Sequence, residues 1–252
     1  MIIGIIILLL LFIYFVYEYC NRKQIEYFTQ EKQDIKYKDA ERVIYCLWTG
    51  TNKMSNNRKH CLDNLKKHTG VPVIFITVDN LDKYILKNEP LHSGYQYLSE
   101  VHKADYLRTY FMRFYGGGYS DIKETTGDWN DSFTLLNNSD KWIIGYKEIE
   151  GGVAYQPLYQ KWKDLIGNGA YICKPGTPLV KEWYNDMIKL MDKKLEELKK
   201  NPSSDPRDQK EHNTGYPIEW NELLGRIFHR KIYKNKDKIL NSLPMVNTND
   251  YL

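Results

Sequence analysis

Apolar residues in this chain fall into three patterns, each predicting a different element. From Ile2 to Val16 they run unbroken for fifteen residues, and Tyr17 follows before Glu18, Arg22 and Lys23. Short β-branched or aromatic runs come later: Val43–Leu47 ends on Trp48-Thr49-Gly50, and Val73–Ile76 lies beyond a polar stretch that Ser55 can cap and that runs helically through Lys67 to Gly70. Strand, helix, strand opens a parallel α/β sheet, because a parallel pair needs a crossover between its strands. In the third pattern, Val101, Ala104, Leu107, Phe111 and Phe114 recur at three- and four-residue steps, predicting a helix over 100–115 with that stripe on the core. Gly116–Gly118 ends it, and a strand is expected at Tyr119–Ile122. Further strands are predicted at Trp142–Tyr146 and Ala170–Cys173, with helices over Pro178–Lys200 and from Glu219 to about His229. The segment 201–217 holds three prolines and reads as a loop, and no internal repeat is visible. The fold class predicted is α/β, a mostly parallel sheet flanked by helices.

The 252 residues leave room for one catalytic domain and an anchor. The division expected is a transmembrane anchor over 1–20, a polar stalk over 21–40 and the domain over 41–252. The apolar run is near the lower end of the roughly 17 to 25 residues that span a bilayer, with Tyr14, Tyr17 and Tyr19 positioned for its interface. A cleavable signal peptide is the competing reading, but no basic segment precedes the run and no small-residue cleavage site follows. The expectation is a single-pass membrane protein whose flanking charges favour a cytosolic domain. Net charge is +4 with acids and bases interspersed, which argues against nucleic acid as a partner. The four cysteines, Cys20, Cys46, Cys61 and Cys173, have no metal-ligand spacing and read as free thiols. Twenty-one tyrosines and six tryptophans suit a sugar-handling surface as well as a core.

The chemistry concentrates between His102 and Lys123. Asp105 and Arg108 lie three apart on the predicted helix and so can address one point. Taken alone, such a pair is most often a surface ion pair. Here the glycine triplet leads into a strand whose end carries Asp121, at the carboxyl edge where open α/β sheets bind ligands.

The pattern KADxLRxxxxxxYGGGYxD, with sixteen residues from Asp105 to Asp121, resembles the DxD-type sugar-transferring glycosyltransferases. That group includes capsular polysaccharide synthesis proteins, yeast initiating mannosyltransferases and the glucosylating domains of large clostridial toxins. The resemblance extends through RVIYCLWTG, GNGAYICKPGTPLVKEW and TGYPIEWNELLGRIFHRKIYK, and implies a GT-A-like fold. It implies a hexose-type sugar moved from a UDP- or GDP-sugar to a glycan, protein or lipid acceptor, with retained configuration. By the same resemblance Asp105 and Arg108 hold donor-sugar hydroxyls and Asp121 touches ribose and sugar. Trp48, Thr49 and Gly50 lie along the nucleotide with Tyr106, Gly117 and Gly118 beside them, while Asn168 and Gly169 line the acceptor side.

One position departs from the family pattern: the second DxD residue is Lys123. A divalent cation, Mn²⁺ or Mg²⁺, is implied by the family, with Asp121 as its ligand here. Glu124, Asp128, His212 and His229 are further carboxylate or imidazole candidates without a telling spacing. Lys123 can instead set an ammonium against the donor diphosphate, or simply be solvated. A non-catalytic sugar- or nucleotide-binding relic and a tethered scaffold are the alternatives. If the anchor supplies location and no chemistry, a chain lacking residues 1–24 should remain monodisperse in size-exclusion chromatography and keep its nucleotide-sugar affinity; aggregation or lost binding would make the segment part of the fold.

Overall fold

The computed structural model describes residues 11–23 and 36–247. It separates into two compact units, 1–37 and 38–252. In the first unit, residues 11–23 are helical, with Phe12, Phe15 and Tyr17 exposed. Residues 1–10, half of the expected anchor, lie outside the described residues, as do 24–35 of the expected stalk. Among the described residues no helix is long and apolar enough to cross a membrane, so a transmembrane helix is not shown.

The second unit is built on a six-stranded mixed sheet. Its strands are β1 (Ile44–Trp48), β2 (Val73–Thr77), β3 (Gly117–Ser120), β4 (Ile143–Lys147), β5 (Ile166–Cys173) and β6 (Ile239–Leu240), in the order β2-β1-β3-β5-β4-β6. β1 is parallel to both β2 and β3, β5 runs antiparallel to β3 and β4, and β4 is parallel to β6. The helices are α1 (Asn56–His68), α2 (Glu100–Phe114), α3 (Asn130–Asn137), α4 (Pro178–Lys200) and α5 (Gly225–Lys234).

Alternation along β1 explains its unbroken apolar run. Ile44 and Cys46 face one core with Leu62 and Leu65 of α1 and Phe133 of α3, whereas Tyr45 and Leu47 face another with Phe111 of α2, Trp183 of α4 and Phe228 of α5. A strand buried on both faces has no polar side to show.

α2 departs from its expected one-sided burial. It is packed against β1 on one side and α4 on the other, and every residue from Asp105 to Met112 is buried. Val101, expected on the core, lines instead with Asp105 and Arg108 the cavity that the helix faces, and Ala104 borders both that cavity and the core. Periodicity located the helix and the stripe that carries Asp105 and Arg108 to the cavity, but not the burial of its other side, because the second layer, α4, comes from far along the chain.

The glycine triplet belongs to β3 and does not merely precede it. Tyr115 N and Gly116 N both donate to Phe111 O (2.8 and 3.0 Å), closing α2, and Gly116 and Gly117 then take left-handed φ values of 68° and 81°. This places Gly118 N on Val43 O at 2.8 Å, so pairing begins two residues before the predicted strand and the chain is released ahead of Asp121. The C-terminal helix begins at Gly225, later than expected, because residues 219–224 are occupied in turns such as Glu222 N to Glu219 O at 2.9 Å. α3 and β6 were not predicted; eight and two residues are too short for a periodic signal.

A Cβ on Gly116 would stand 2.5 Å from Pro175 Cδ and 2.8 Å from Pro175 N, besides forcing the left-handed backbone. Gly116→Ala should therefore cost roughly 1–3 kcal/mol in urea denaturation, more than Gly176→Ala, whose φ is 74° but whose Cβ would meet open space. Equal losses would remove the close-packing argument.

Candidate functional site

A cavity of about 600 Å³ opens at the carboxyl ends of β1 and β3, within the range of roughly 300–1,000 Å³ typical of small-molecule sites. The location follows from topology. From β1 the chain crosses over to β2 on one side and later to β3 on the other, and such a switch point leaves a crevice beyond the strand ends. Trp48, Thr49 and Gly50 follow β1 into it and Asp121 follows β3. Thr49 Oγ1 donates to Glu100 O at 2.6 Å and Trp48 Nε1 to Asn52 O at 3.0 Å, which fix the first wall.

At the floor, Arg108 gathers three elements. Its Nη1 donates to Asn168 O (3.0 Å), and its Nη2 meets Asp105 Oδ1 (3.2 Å) and Asp121 Oδ1 (3.1 Å). The guanidinium carbon lies 4.4 Å from the Tyr119 ring centroid, a cation–π contact away from water. Asp121 is filled on both oxygens: Tyr119 OH donates to Oδ1 at 2.9 Å and Lys123 Nζ to Oδ2 at 2.9 Å. Its N–H donates to Gly169 O at 2.7 Å, so β5 holds the aspartate after β3 has ended.

The two aspartates are driven apart electrostatically. Burial pushes the Asp105 carboxyl up to about 7, with Asp121 adding to the rise and Arg108 opposing it. Burial also works to raise Asp121, but Lys123 and Arg108 together outweigh it and hold the carboxyl at about 2.

The opposite wall comes from residues 206–225. Val101 N donates to Pro206 O at 3.2 Å, the Arg207 guanidinium lies 5.7 Å from the Trp220 ring, and Asn221 and Gly225 face inward. Beneath, buried His102 joins Ser99 Oγ (3.0 Å) and Tyr216 OH (2.9 Å) through Nδ1, and burial lowers its pKa to about 4, so it is a neutral strut.

Of the residues picked from the sequence, Asp105, Arg108, Asp121, Lys123, Trp48, Thr49, Gly50 and Asn168 line this cavity. Five others do not. Tyr106 is fully buried, its hydroxyl accepting from His92 N at 3.0 Å, because its side of α2 faces the core. Gly117 and Gly118 are packed against Val43 and serve backbone approach. Gly169 backs Asp121 from behind; a Cβ there would stand 3.2 Å from Asp121 Oδ2. His229 is buried near Glu148, Nε2 to Oε2 3.1 Å though not aligned as a hydrogen bond, and accepts from Ala154 N through Nδ1. Glu124, Asp128 and His212 also lie off the cavity, Glu124 beside His60 at 3.1 Å. Among the described residues no three His, Cys, Asp or Glu side chains are grouped to hold a metal, and each Asp121 oxygen already accepts from at least one donor. Lys123 and Arg108 already set two positive charges against the Asp121 carboxylate, which opposes a divalent ion there.

Sequence reasoning missed Lys53 and Arg58 on the first wall: the helix through Arg58 was expected, but nothing in it singled out a lining residue. It also missed Trp220 and Asn221 as lining residues, although the segment containing them had been noted for its family likeness.

The family model for capsular polysaccharide synthesis proteins matches residues 11–138, just over half the chain and including everything from Trp48 to Lys123. The chain belongs to this family. That bears out the resemblance carried by the Asp105 to Asp121 pattern. Among curated proteins none matches. Solved structures that match include one titled PaToxG Glycosyltransferase, at 16% identity and a TM-score of 0.45 over 87% of this chain and 80% of that one. The matched segment of this chain contains Asp105, Arg108 and Asp121, the three groups that meet at the cavity floor.

Because the Asp105 pKa is about 7 in the folded chain and near 3.8 when unfolded, the folded state binds the extra proton between those values, and stability falls as pH rises from about 4 to about 7. Asp105→Asn removes that loss. Its stability relative to wild type should climb across the window and level above it in urea melts at pH 5, 6, 7 and 8; a pH-independent difference would overturn the assignment.

Proposed function

We propose that this chain is a glycosyltransferase that moves a hexose-type sugar from a UDP- or GDP-sugar to a glycan, glycoprotein or glycolipid acceptor, with retention. The observation that carries the reading is the convergence of Asp105, Arg108 and Asp121 at the floor of the switch-point cavity beside Trp48. Family membership supports the polysaccharide-synthesis context.

Asp105 accepts from donor-sugar hydroxyls, and Arg108 keeps both aspartates aimed. Trp48 and Gly50 flank the nucleotide, and the Trp220 and Asn221 wall receives the acceptor. In the transfer, the bond from the anomeric carbon to the β-phosphate oxygen breaks with its electron pair going to that oxygen. The acceptor hydroxyl oxygen bonds to the anomeric carbon, and its proton passes to the departing phosphate on the same face. Walls on both sides exclude water while charge develops. The apolar run at Ile2–Val16 holds the enzyme at a membrane, and its flanking charges favour, without fixing, a domain on the cytosolic side.

A second reading, a nucleotide-binding relic, is favoured by one feature, the lysine at the second DxD position. Incubating the protein with UDP- and GDP-sugars and scoring nucleotide release separates the two. Release should occur with one donor, and Asp105→Ala should slow it by roughly ten- to a hundredfold, the loss of one charge-assisted contact of about 1.5–3 kcal/mol, when both chains are assayed below the variant's own melting transition, which falls because Arg108 loses a buried partner. Binding without release would establish the relic; release undiminished in the variant would overturn the donor-site assignment.

A further inference from the structure

We infer that the donor's diphosphate is neutralised by side-chain cations of this chain, Lys123 first and Arg58 beside it, and that neither binding nor transfer requires a divalent metal. This rests on the donor-site reading above and deepens it.

The position that would carry a metal is already filled by charge. Lys123 Nζ lies 2.9 Å from Asp121 Oδ2, while Asp121 Oδ1 takes Tyr119 OH at 2.9 Å and Arg108 Nη2 at 3.1 Å. A divalent ion on Oδ1 would displace one of its two donors, and one on the remaining lone pair of Oδ2 would stand within a few ångströms of the Lys123 and Arg108 charges. No grouped carboxylates or imidazoles among the described residues offer it another home. The described acid next in sequence, Glu124, is turned to His60 and Asn247.

The cations are also arranged as a unit. Arg58, in the first turn of α1, donates from Nη1 to Ile122 O at 2.8 Å, the carbonyl between Asp121 and Lys123 in sequence. One backbone segment thus fixes both side chains at one edge of the cavity, and Lys53 stands exposed on the same wall. A nucleotide sugar brings two negative charges on its diphosphate, which Lys123 and Arg58 match. The departing nucleoside diphosphate gains a further one. Lys123 is shared with Asp121 in the resting site, so it can turn towards the leaving group as that charge grows, and its contact strengthens most in the transition state. An ammonium is well suited to this, being a compact charge on a flexible stem.

The test is calorimetric titration of the full chain with UDP and with GDP, in EDTA and in Mn²⁺. One nucleotide should bind with affinities that agree within about threefold between the two buffers. Lys123→Gln and Arg58→Gln should each weaken it roughly tenfold or more, and Lys123→Arg, which keeps the charge, should restore most of the loss without metal. Affinity that collapses in EDTA and returns with Mn²⁺ in the wild-type chain would overturn the inference while leaving the donor site standing. No binding of either nucleotide in either buffer would overturn the donor-site reading itself, and this inference with it.

Discussion

Burying Arg108 is the constraint on which the rest of the site depends. An arginine stays protonated in any folded protein, so a guanidinium nine-tenths removed from water needs acceptors, and both its Nη atoms have them although its Nε does not. Here those acceptors come from α2 itself (Asp105), from the end of β3 (Asp121), from the β5 backbone (Asn168 O) and from the Tyr119 ring. Each is meaningful only when the others are in place. Removing one partner of such a pair typically costs about 3–5 kcal/mol, because the remaining charge is left buried alone. The guanidinium therefore locks one helix and two strands into a single register at the place where the topology opens a crevice.

That lock sets the division of labour between the two aspartates. They share one arginine, but Asp121 also holds Lys123, so the charge favours Asp121 and leaves Asp105 to bear the desolvation. The result is one firmly ionised carboxylate tied into the scaffold and one poised carboxyl at the cavity floor. A carboxyl this buried is expensive to keep charged in the empty cavity, so the site carries a stability cost that a scaffold alone would not need. Stability and function oppose each other at this position.

The glycine junction makes the geometry attainable. α2 must end and β3 must begin with almost no intervening chain, or Asp121 would emerge too far from Arg108. Two consecutive left-handed residues achieve the reversal, and the missing side chains let β3 slide against Val43 and Pro175. This is a backbone requirement, which is why glycines counted among possible nucleotide contacts prove to be structural.

What the sequence by itself determined is local. Ser55 caps its helix where the pattern placed it, Pro178–Lys200 is helical over the predicted range, and a motif of fixed spacing named Asp105, Arg108 and Asp121 before any fold was known. These follow from backbone hydrogen bonding and periodicity within about a dozen residues, and are written in consecutive letters. The partnerships were decided only by the tertiary structure. Nothing near Arg58 announces that it will grip Ile122 O, 64 positions away, and nothing near Arg207 places it against Trp220. How much of α2 is buried, and why Tyr106 and His229 are enclosed, depend on α4, α5 and the β4–β5 region arriving from later in the chain. Most of all, whether Lys123 is solvated or committed to Asp121 is a question of which charges share a low-dielectric space, and that space exists only once both walls have closed around it.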